Sequence, residues 1–212
     1  MDISVSPGMN HSRCSQTEAR LRKRLNKLAA RTREQAAIIQ QQKAKIVQLQ
    51  NENTRLQYDE KTGLLTYEGL LNRVSQTPLS RGVFCVLDLN GLKVFNDRSW
   101  NYDEGNVAIE WFAGYLKMNI RKTDIARKHT TGDEFIVILK GVSIEGAEDR
   151  MQDLRHGFIE LSRKHKLFIK YNVKPGFSYG MVAYTKLTNE NIEDLFKIAV
   201  QNMYRQKAAY KK

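Results

Sequence analysis

The chain contains one unbroken apolar run that ends in a carboxylate, Val83-Phe84-Cys85-Val86-Leu87-Asp88. A run of this kind, without polar alternation, predicts a strand that is buried on both faces at the centre of a sheet. An unpaired buried charge is costly, so packing alone does not explain Asp88. The run therefore predicts a central strand whose final carboxylate is placed to hold a cation.

Helical and strand patterns alternate on both sides of this run. A helix of about ten residues is predicted from Tyr67. Further helices are predicted over 91–97, 106–120, 144–165 and 190–208, and strands over 125–129, 135–139 and 177–184. In the helix over 106–120, the residues expected near one face are Val107, Trp111, Tyr115 and Met118. The alternation predicts an α/β or α+β sandwich with one central sheet covered by helices.

Residues 18–56 contain no Gly or Pro and consist largely of strong helix formers. A heptad repeat places Leu25, Thr32, Ile39, Ile46 and Asn53 at one seam position, and Leu21, Leu28, Gln35, Gln42, Leu49 and Leu56 at the other. One Asn at an a position with Leu at d favours a parallel two-stranded coiled coil. We expect a homodimer, and a single exposed helix packed on its own domain stays open as the alternative.

The predicted organisation has three parts. Residues 1–17 lack periodicity and are expected to form a disordered leader. Residues 18–56 form the coiled-coil dimerisation helix, and residues 57–212 form the catalytic domain. Only two cysteines are present, and no Cys/His zinc spacing, signal peptide or membrane-spanning apolar run is found. These features predict a cytoplasmic protein without a membrane partner.

Positive charge is concentrated at the start of the chain. The net charge is +12, and residues 1–56 carry 11 basic and 4 acidic side chains. A basic balance suits polyanions such as nucleotides, nucleic acid or anionic lipid, although a solvated helix face also explains it. The stretch 26–33 looks like the basic region of a leucine zipper protein, which leaves DNA binding open. The position of Leu28 in the heptad seam argues against DNA binding.

Two adjacent carboxylates, Asp133 and Glu134, fall in the predicted turn between the strands over 125–129 and 135–139. Adjacent carboxylates repel each other unless a cation or a basic group lies between them. If this hairpin neighbours the strand that carries Asp88, three carboxylates converge. Oxygen ligands of this kind favour Mg²⁺, and two such ions can clamp a phosphoryl or nucleotidyl transfer. A solvated turn is the alternative.

Six short motifs, in the same order along about 150 residues, resemble those of the GGDEF family of diguanylate cyclases. The motifs are Asp59-Glu60-Lys61-Thr62-Gly63-Leu64, Asp88-Leu89-Asn90-Gly91-Leu92-Lys93-Val94-Phe95-Asn96-Asp97, Arg121-Lys122-Thr123-Asp124, Thr131-Gly132-Asp133-Glu134-Phe135, Ser178-Tyr179-Gly180, and Ala199-Val200-Gln201-Asn202-Met203-Tyr204-Arg205-Gln206-Lys207. The resemblance implies a sheet like that of nucleotidyl cyclases, preceded by a coiled coil. It also implies condensation of two GTP into cyclic di-GMP across a homodimer, with Mg²⁺ (or Mn²⁺) as cofactor.

The resemblance also implies a role for each matching residue. The metal ligands would be Asp88, the Leu89 carbonyl, Asp133 and Glu134, and the three carboxylates would serve catalysis. Substrate would be bound by Asn96 and Asn106 at guanine and by Lys93, Lys207 and Lys211 at the triphosphate. Arg121 and Asp124 would form an inhibitory product site.

The chain departs from the family pattern mainly at positions that are expected to contact the nucleotide. Thr131 replaces the first glycine of the signature, and Asn106 replaces an aspartate that contacts guanine. One extra residue also lies between Asp124 and Thr131. The carboxylate ligands are all kept. Two alternatives follow: a catalytically degenerate domain that binds GTP or cyclic di-GMP or acts as a scaffold, and a DNA-binding coiled-coil protein with a nucleotide-sensing domain.

Overall fold

The protein is described by a computed structural model that covers residues 8–98, 103–129 and 134–209. Its elements follow the predicted alternation of helices and strands. In chain order they are α1 (Gly8–Gln57), α2 (Tyr67–Gln76), β1 (Leu79–Leu89), α3 (Leu92–Arg98), α4 (Asp103–Asn119), β2 (Ile125–Lys128), β3 (Glu134–Lys140), α5 (Ile144–Ser162), α6 (Lys166–Tyr171), β4 (Phe177–Leu187) and α7 (Ile192–Ala209).

The described strands form one antiparallel sheet in the order β2-β3-β1-β4. The apolar run that includes Val83 and Leu87 lies within β1, which pairs with β3 on one side and with β4 on the other. At its end, Asp88 stands opposite Glu134 of β3 and Ser178 of β4. The prediction of a central strand ending in a carboxylate is therefore confirmed.

Both faces of β1 are covered, which explains why its apolar run does not alternate. The odd-numbered residues, such as Cys85 and Leu87, belong to the core cluster formed with α3, α4, α5 and α6. The even-numbered residues Phe84 and Val86 belong to a second cluster, formed with α2 and α7. Because successive strand residues point to opposite faces, Asp88 lies on the side of α2 and α7.

Helix α7 packs directly against the backbone of β4 at Gly180. A Cβ atom at this position would lie 2.1 Å from the Ala199 carbonyl oxygen and 2.2 Å from the Met203 nitrogen. Both distances are far below van der Waals contact, and both atoms belong to the backbone of α7. Only glycine allows this approach, so Gly180 sets the distance between the helix and the sheet.

By its internal contacts the chain divides into two units, residues up to Glu52 and residues from Asn53 onward. The first contains α1 as far as Glu52. This helix begins at Gly8, so residues 8–17, which were expected to be disordered, are helical. Within the described residues, no helix combines the length and the apolar character needed to cross a membrane.

Two details of the second unit differ from the prediction. The helix predicted over 144–165 ends at Ser162, because a new helix, α6, begins after His165, whose side chain accepts a hydrogen bond from the Leu167 nitrogen. The buried face of α4 runs through Ala108, Phe112 and Leu116. The predicted face was wrong at its ends, since Val107 and Met118 are exposed. The core takes the small Ala108 in place of the larger Val107.

We expect Gly180→Ala to lower the stability of the domain, because its methyl group would push α7 off the sheet. Overpacking of this kind costs about 2 kcal/mol, which corresponds to a fall in Tm of roughly 5 °C. Gly114→Ala is the matched control, since a Cβ at this helical position meets no atom within 4 Å. This control should raise Tm slightly. Equal melting temperatures for the two variants would contradict the packing described.

Candidate functional site

Asp88 and Glu134 stand directly opposite each other on β1 and β3. Directly opposed residues of an antiparallel pair point to the same face and lie close together. The Asp88 side chain is 15% exposed and the Glu134 side chain 19% exposed. Leu89, whose carbonyl was the predicted backbone ligand, is buried at the end of β1. The structure thus brings together two of the three predicted carboxylates, and Asp133 lies outside the described residues.

Lys207 reaches Asp88 from the end of α7. Its Nζ atom lies 2.7 Å from Asp88 Oδ1, and its side chain is 27% exposed. This charge-assisted contact neutralises a carboxylate that is largely removed from water. The prediction placed Asp88 at the metal and Lys207 at the triphosphate, and the structure places the two side chains in contact with each other.

Glu134 is held at its main chain and approached at its side chain by His129. The His129 N–H donates to the Glu134 carbonyl oxygen at 2.9 Å. The Nδ1 atom of the imidazole lies 3.6 Å from Glu134 Oε2. The ring stacks on Phe196 of α7, with 4.7 Å between ring centroids and 7° between ring planes. A role for His129 was not predicted from the sequence, although its position just before the signature turn places it close to the site.

A cleft of about 580 Å³ opens at the end of β1. Its basic lining residues, Lys93, Arg155 and Lys207, come from three helices, and Asp88 is its acidic residue. The remaining lining residues are Leu89, Asn90, Gly91, Leu92, Phe177 and Ser178. This excess of positive charge suits a polyanion such as a triphosphate. Arg155 was not predicted, because nothing in the sequence of α5 indicates which of its basic residues reaches the cleft. Lys211 lies outside the described residues.

The predicted guanine contacts lie at the junction of α3 and α4. Asn96 is near the end of α3, and Asn106 is in the first turn of α4, both partly buried. Gly105 keeps the two helices close, since a Cβ there would lie 2.0 Å from Asn96 Oδ1. Among the described residues, neither asparagine lines the 580 Å³ cleft. They lie at the α3–α4 junction, outside the lining of that cleft.

The predicted product-site residues differ in exposure. The Asp124 side chain is fully buried and forms an ion pair with Arg150 at 2.7 Å. It also accepts hydrogen bonds from the backbone nitrogens of Lys140 and Arg121, at 3.1 and 3.3 Å. The Arg121 side chain is exposed. Beside them is a cavity of about 240 Å³ whose basic lining residues are Arg73, Lys117, Arg121 and Lys122. Product binding here stays a prediction.

No group of three or more His, Cys, Asp or Glu side chains within residues 8–98, 103–129 and 134–209 is arranged to hold a metal ion. The described part of the chain contributes the pair Asp88 and Glu134. Their oxygen atoms are the donors that Mg²⁺ and Mn²⁺ prefer. This donor set fits the metal that the motifs imply.

Comparison with known proteins shows the family of the chain. The family model described as "Diguanylate cyclase, GGDEF domain" matches residues 56–212. The chain belongs to the GGDEF family. No curated protein sequence matches it. The match covers the sheet, its helices and every candidate site residue named above.

Solved GGDEF structures share the fold at low sequence identity. The coiled coil and GGDEF domain of DgcB from Caulobacter crescentus, in complex with c-di-GMP, has a TM-score of 0.64 and 18% identity, over 86% of this chain and 95% of that one. The diguanylate cyclase SiaD of Pseudomonas aeruginosa, in complex with its activator SiaC, has a TM-score of 0.59 and 19% identity, over 94% and 76%. The predicted cyclase-like sheet preceded by a long coiled-coil helix is confirmed.

We expect Asp124→Ala to destabilise the domain by about 3 kcal/mol, because it leaves the charge of Arg150 without its partner and removes an acceptor from two backbone N–H groups. Urea unfolding measures this free energy by linear extrapolation. Glu160→Ala is the control, since its ion pair with Arg163 is exposed and such pairs contribute about 0–1 kcal/mol. A loss for Asp124→Ala no larger than that of the control would contradict a structural role for the carboxylate.

Proposed function

We propose that the protein is a diguanylate cyclase, which condenses two GTP into cyclic di-GMP and two pyrophosphates. The observation that carries the proposal is the pairing of Asp88 with Glu134 beside a cleft lined by basic side chains from three helices. Membership of the GGDEF family and the fold shared with cyclases support it. Each domain would hold one GTP, and the 3′-hydroxyl of each nucleotide would attack the α-phosphate of the other.

In this proposal the acidic side chains bind the metal ion and the basic side chains bind the phosphates. Asp88, Glu134, Asp133 and the Leu89 carbonyl would hold Mg²⁺ or Mn²⁺, which supplies neutralisation of phosphate charge when bound. Lys93, Lys207, Lys211 and the newly found Arg155 would balance the triphosphate and the leaving pyrophosphate. Glu134 would also help to accept the proton of the attacking hydroxyl.

Base and product recognition are proposed at the two other polar positions. Asn96 and Asn106 would offer carboxamide oxygens to the guanine N–H groups across the α3–α4 junction. The cavity beside Arg121 and Asp124 is lined by basic side chains, which suits the two phosphates of cyclic di-GMP. In the described conformation, Asp124 shares its carboxylate oxygens with Arg150 and the backbone. Product bound there would therefore meet Arg121 first.

A parallel homodimer is proposed because the reaction needs two half-sites that face each other. In the described chain the seam leucines and isoleucines of α1, such as Leu25, Ile46 and Leu49, are half-exposed or more. Pairing with a second copy would bury this stripe, and Asn53 at an a position would fix the register. GTP as substrate is consistent with the proposed cytoplasmic location.

A GGDEF-like binding module is the second candidate. Thr131 in the signature and Asn106 at the guanine position are the departures that favour it. Such a module would bind GTP or cyclic di-GMP without forming product. The activity measurement that follows separates the two functions.

We expect the purified protein with GTP and Mg²⁺ to form cyclic di-GMP, detected by chromatography of the nucleotides. Asp88→Asn and Glu134→Gln should each lower kcat on the order of 100-fold or more, because each removes a charge that the transition state needs. Asp153→Asn, at an exposed position of α5, is the control and should be as active as the unchanged protein. Bound GTP without product at micromolar protein would favour the binding module.

We expect Leu49→Lys to convert the dimer to a monomer, because it places a charge at a seam position that a partner must bury. Val47→Lys introduces the same charge at an exposed position outside the seam and should leave the dimer intact. Sedimentation equilibrium distinguishes the two masses. A dimer that persists in Leu49→Lys would show that the seam of α1 is not the interface.

A further inference from the structure

Glu134 begins β3 and is tied to the end of β2 through His129. The main-chain hydrogen bond between them, at 2.9 Å, closes the base of the hairpin. The imidazole Nδ1 is 3.6 Å from Glu134 Oε2, which is within ion-pair range but longer than a hydrogen bond. A small rotation of the glutamate would close that distance. His129 is thus the described residue that contacts Glu134 at both its backbone and its carboxylate.

The orientation of the His129 ring is fixed by α7. Its near-parallel stacking on Phe196 leaves the imidazole little freedom to turn away from Glu134. The ring is only 25% exposed, and Phe196 is itself packed against the core of α2 and α7. A histidine that served only to fill space would gain nothing from an imidazole nitrogen aimed at a carboxylate. Here the flat face of the His129 ring packs on Phe196, and its Nδ1 atom faces the Glu134 carboxylate.

One face of α7 carries the residues that contact Asp88 and His129. Phe196 is followed on this face by Ala199, Met203 and Lys207, at the spacing of successive helical turns. Ala199 and Met203 form the contact with Gly180, and Lys207 binds Asp88. Phe196 stacks on His129, which in turn lies against the Glu134 carboxylate. The same helix therefore sets the position of Asp88 at one end and of Glu134 at the other.

We propose that His129 is a positioning residue for Glu134, held by Phe196, and that it fixes the carboxylate in the orientation in which it binds a divalent cation or accepts the proton of the 3′-hydroxyl. The proposal rests on the cyclase function proposed above. Groups that orient a metal-binding carboxylate typically contribute on the order of 10- to 100-fold in metal affinity or activity. The effect should fall on metal binding and kcat, while GTP binding through the cleft is kept.

Two substitutions separate the nitrogen of His129 from its ring. His129→Phe keeps a flat ring on Phe196 and removes the nitrogen, whereas His129→Asn places an amide N–H near the position of Nδ1. We expect His129→Phe to weaken Mn²⁺ binding, measured by electron paramagnetic resonance with a non-hydrolysable GTP analogue, on the order of tenfold. The kcat should fall similarly at unchanged KM for GTP. His129→Asn should recover most of both losses, to within about threefold of the unchanged protein.

The control is His156→Phe, which makes the same replacement at an exposed position of α5 and should alter neither measurement. Thermal melting of each variant checks the fold. Mn²⁺ binding and kcat unchanged in His129→Phe would overturn the positioning role while leaving the cyclase proposal intact. Equal losses in His129→Phe and His129→Asn, accompanied by a lower Tm, would show a structural role and overturn it as well. Absence of Mn²⁺ and analogue binding in the unchanged protein would overturn the proposed function itself, and this proposal with it.

Discussion

The close approach of α7 to β4 at Gly180 is the contact on which the candidate site depends. The helix backbone lies where a side chain would otherwise stand, so its distance from the sheet is set by backbone atoms on both sides. At this separation Lys207 contacts Asp88 and Phe196 stacks on His129. The charge distribution of the site therefore follows from the packing of α7. The absence of a side chain at Gly180 allows the close approach of the helix that carries Lys207 and Phe196.

The fold could be predicted from the sequence where one periodicity dominates. The run ending at Asp88 has no polar alternation, so it specified a strand covered on both faces, and the structure has two core layers meeting there. The family resemblance implied that Asp88 and Glu134 come together, and antiparallel pairing brings the two residues together in the structure. The helix start at Gly8 and the break after Ser162 were missed because local helix propensity does not mark such boundaries sharply.

The parts of the site that escaped prediction are those made by residues distant in sequence. Arg155 is one of several basic residues of α5, and only the packing of that helix selects it for the cleft. His129 and Phe196 are separated by more than sixty residues, and no local pattern links them. Asp124 shows the opposite case. Its motif was recognised, but the partner that buries its charge, Arg150, lies on a helix that the motif does not include.

The contact between Lys207 and Asp88 also bears on how the domain folds. Small domains built around a structural metal gain much of their folding free energy from that ion and unfold when a chelator removes it. Here the largely buried carboxylate has a counter-ion supplied by the chain itself, 2.7 Å away. The charge of Asp88 is therefore compensated within the chain, so the burial of this carboxylate does not depend on a bound metal ion.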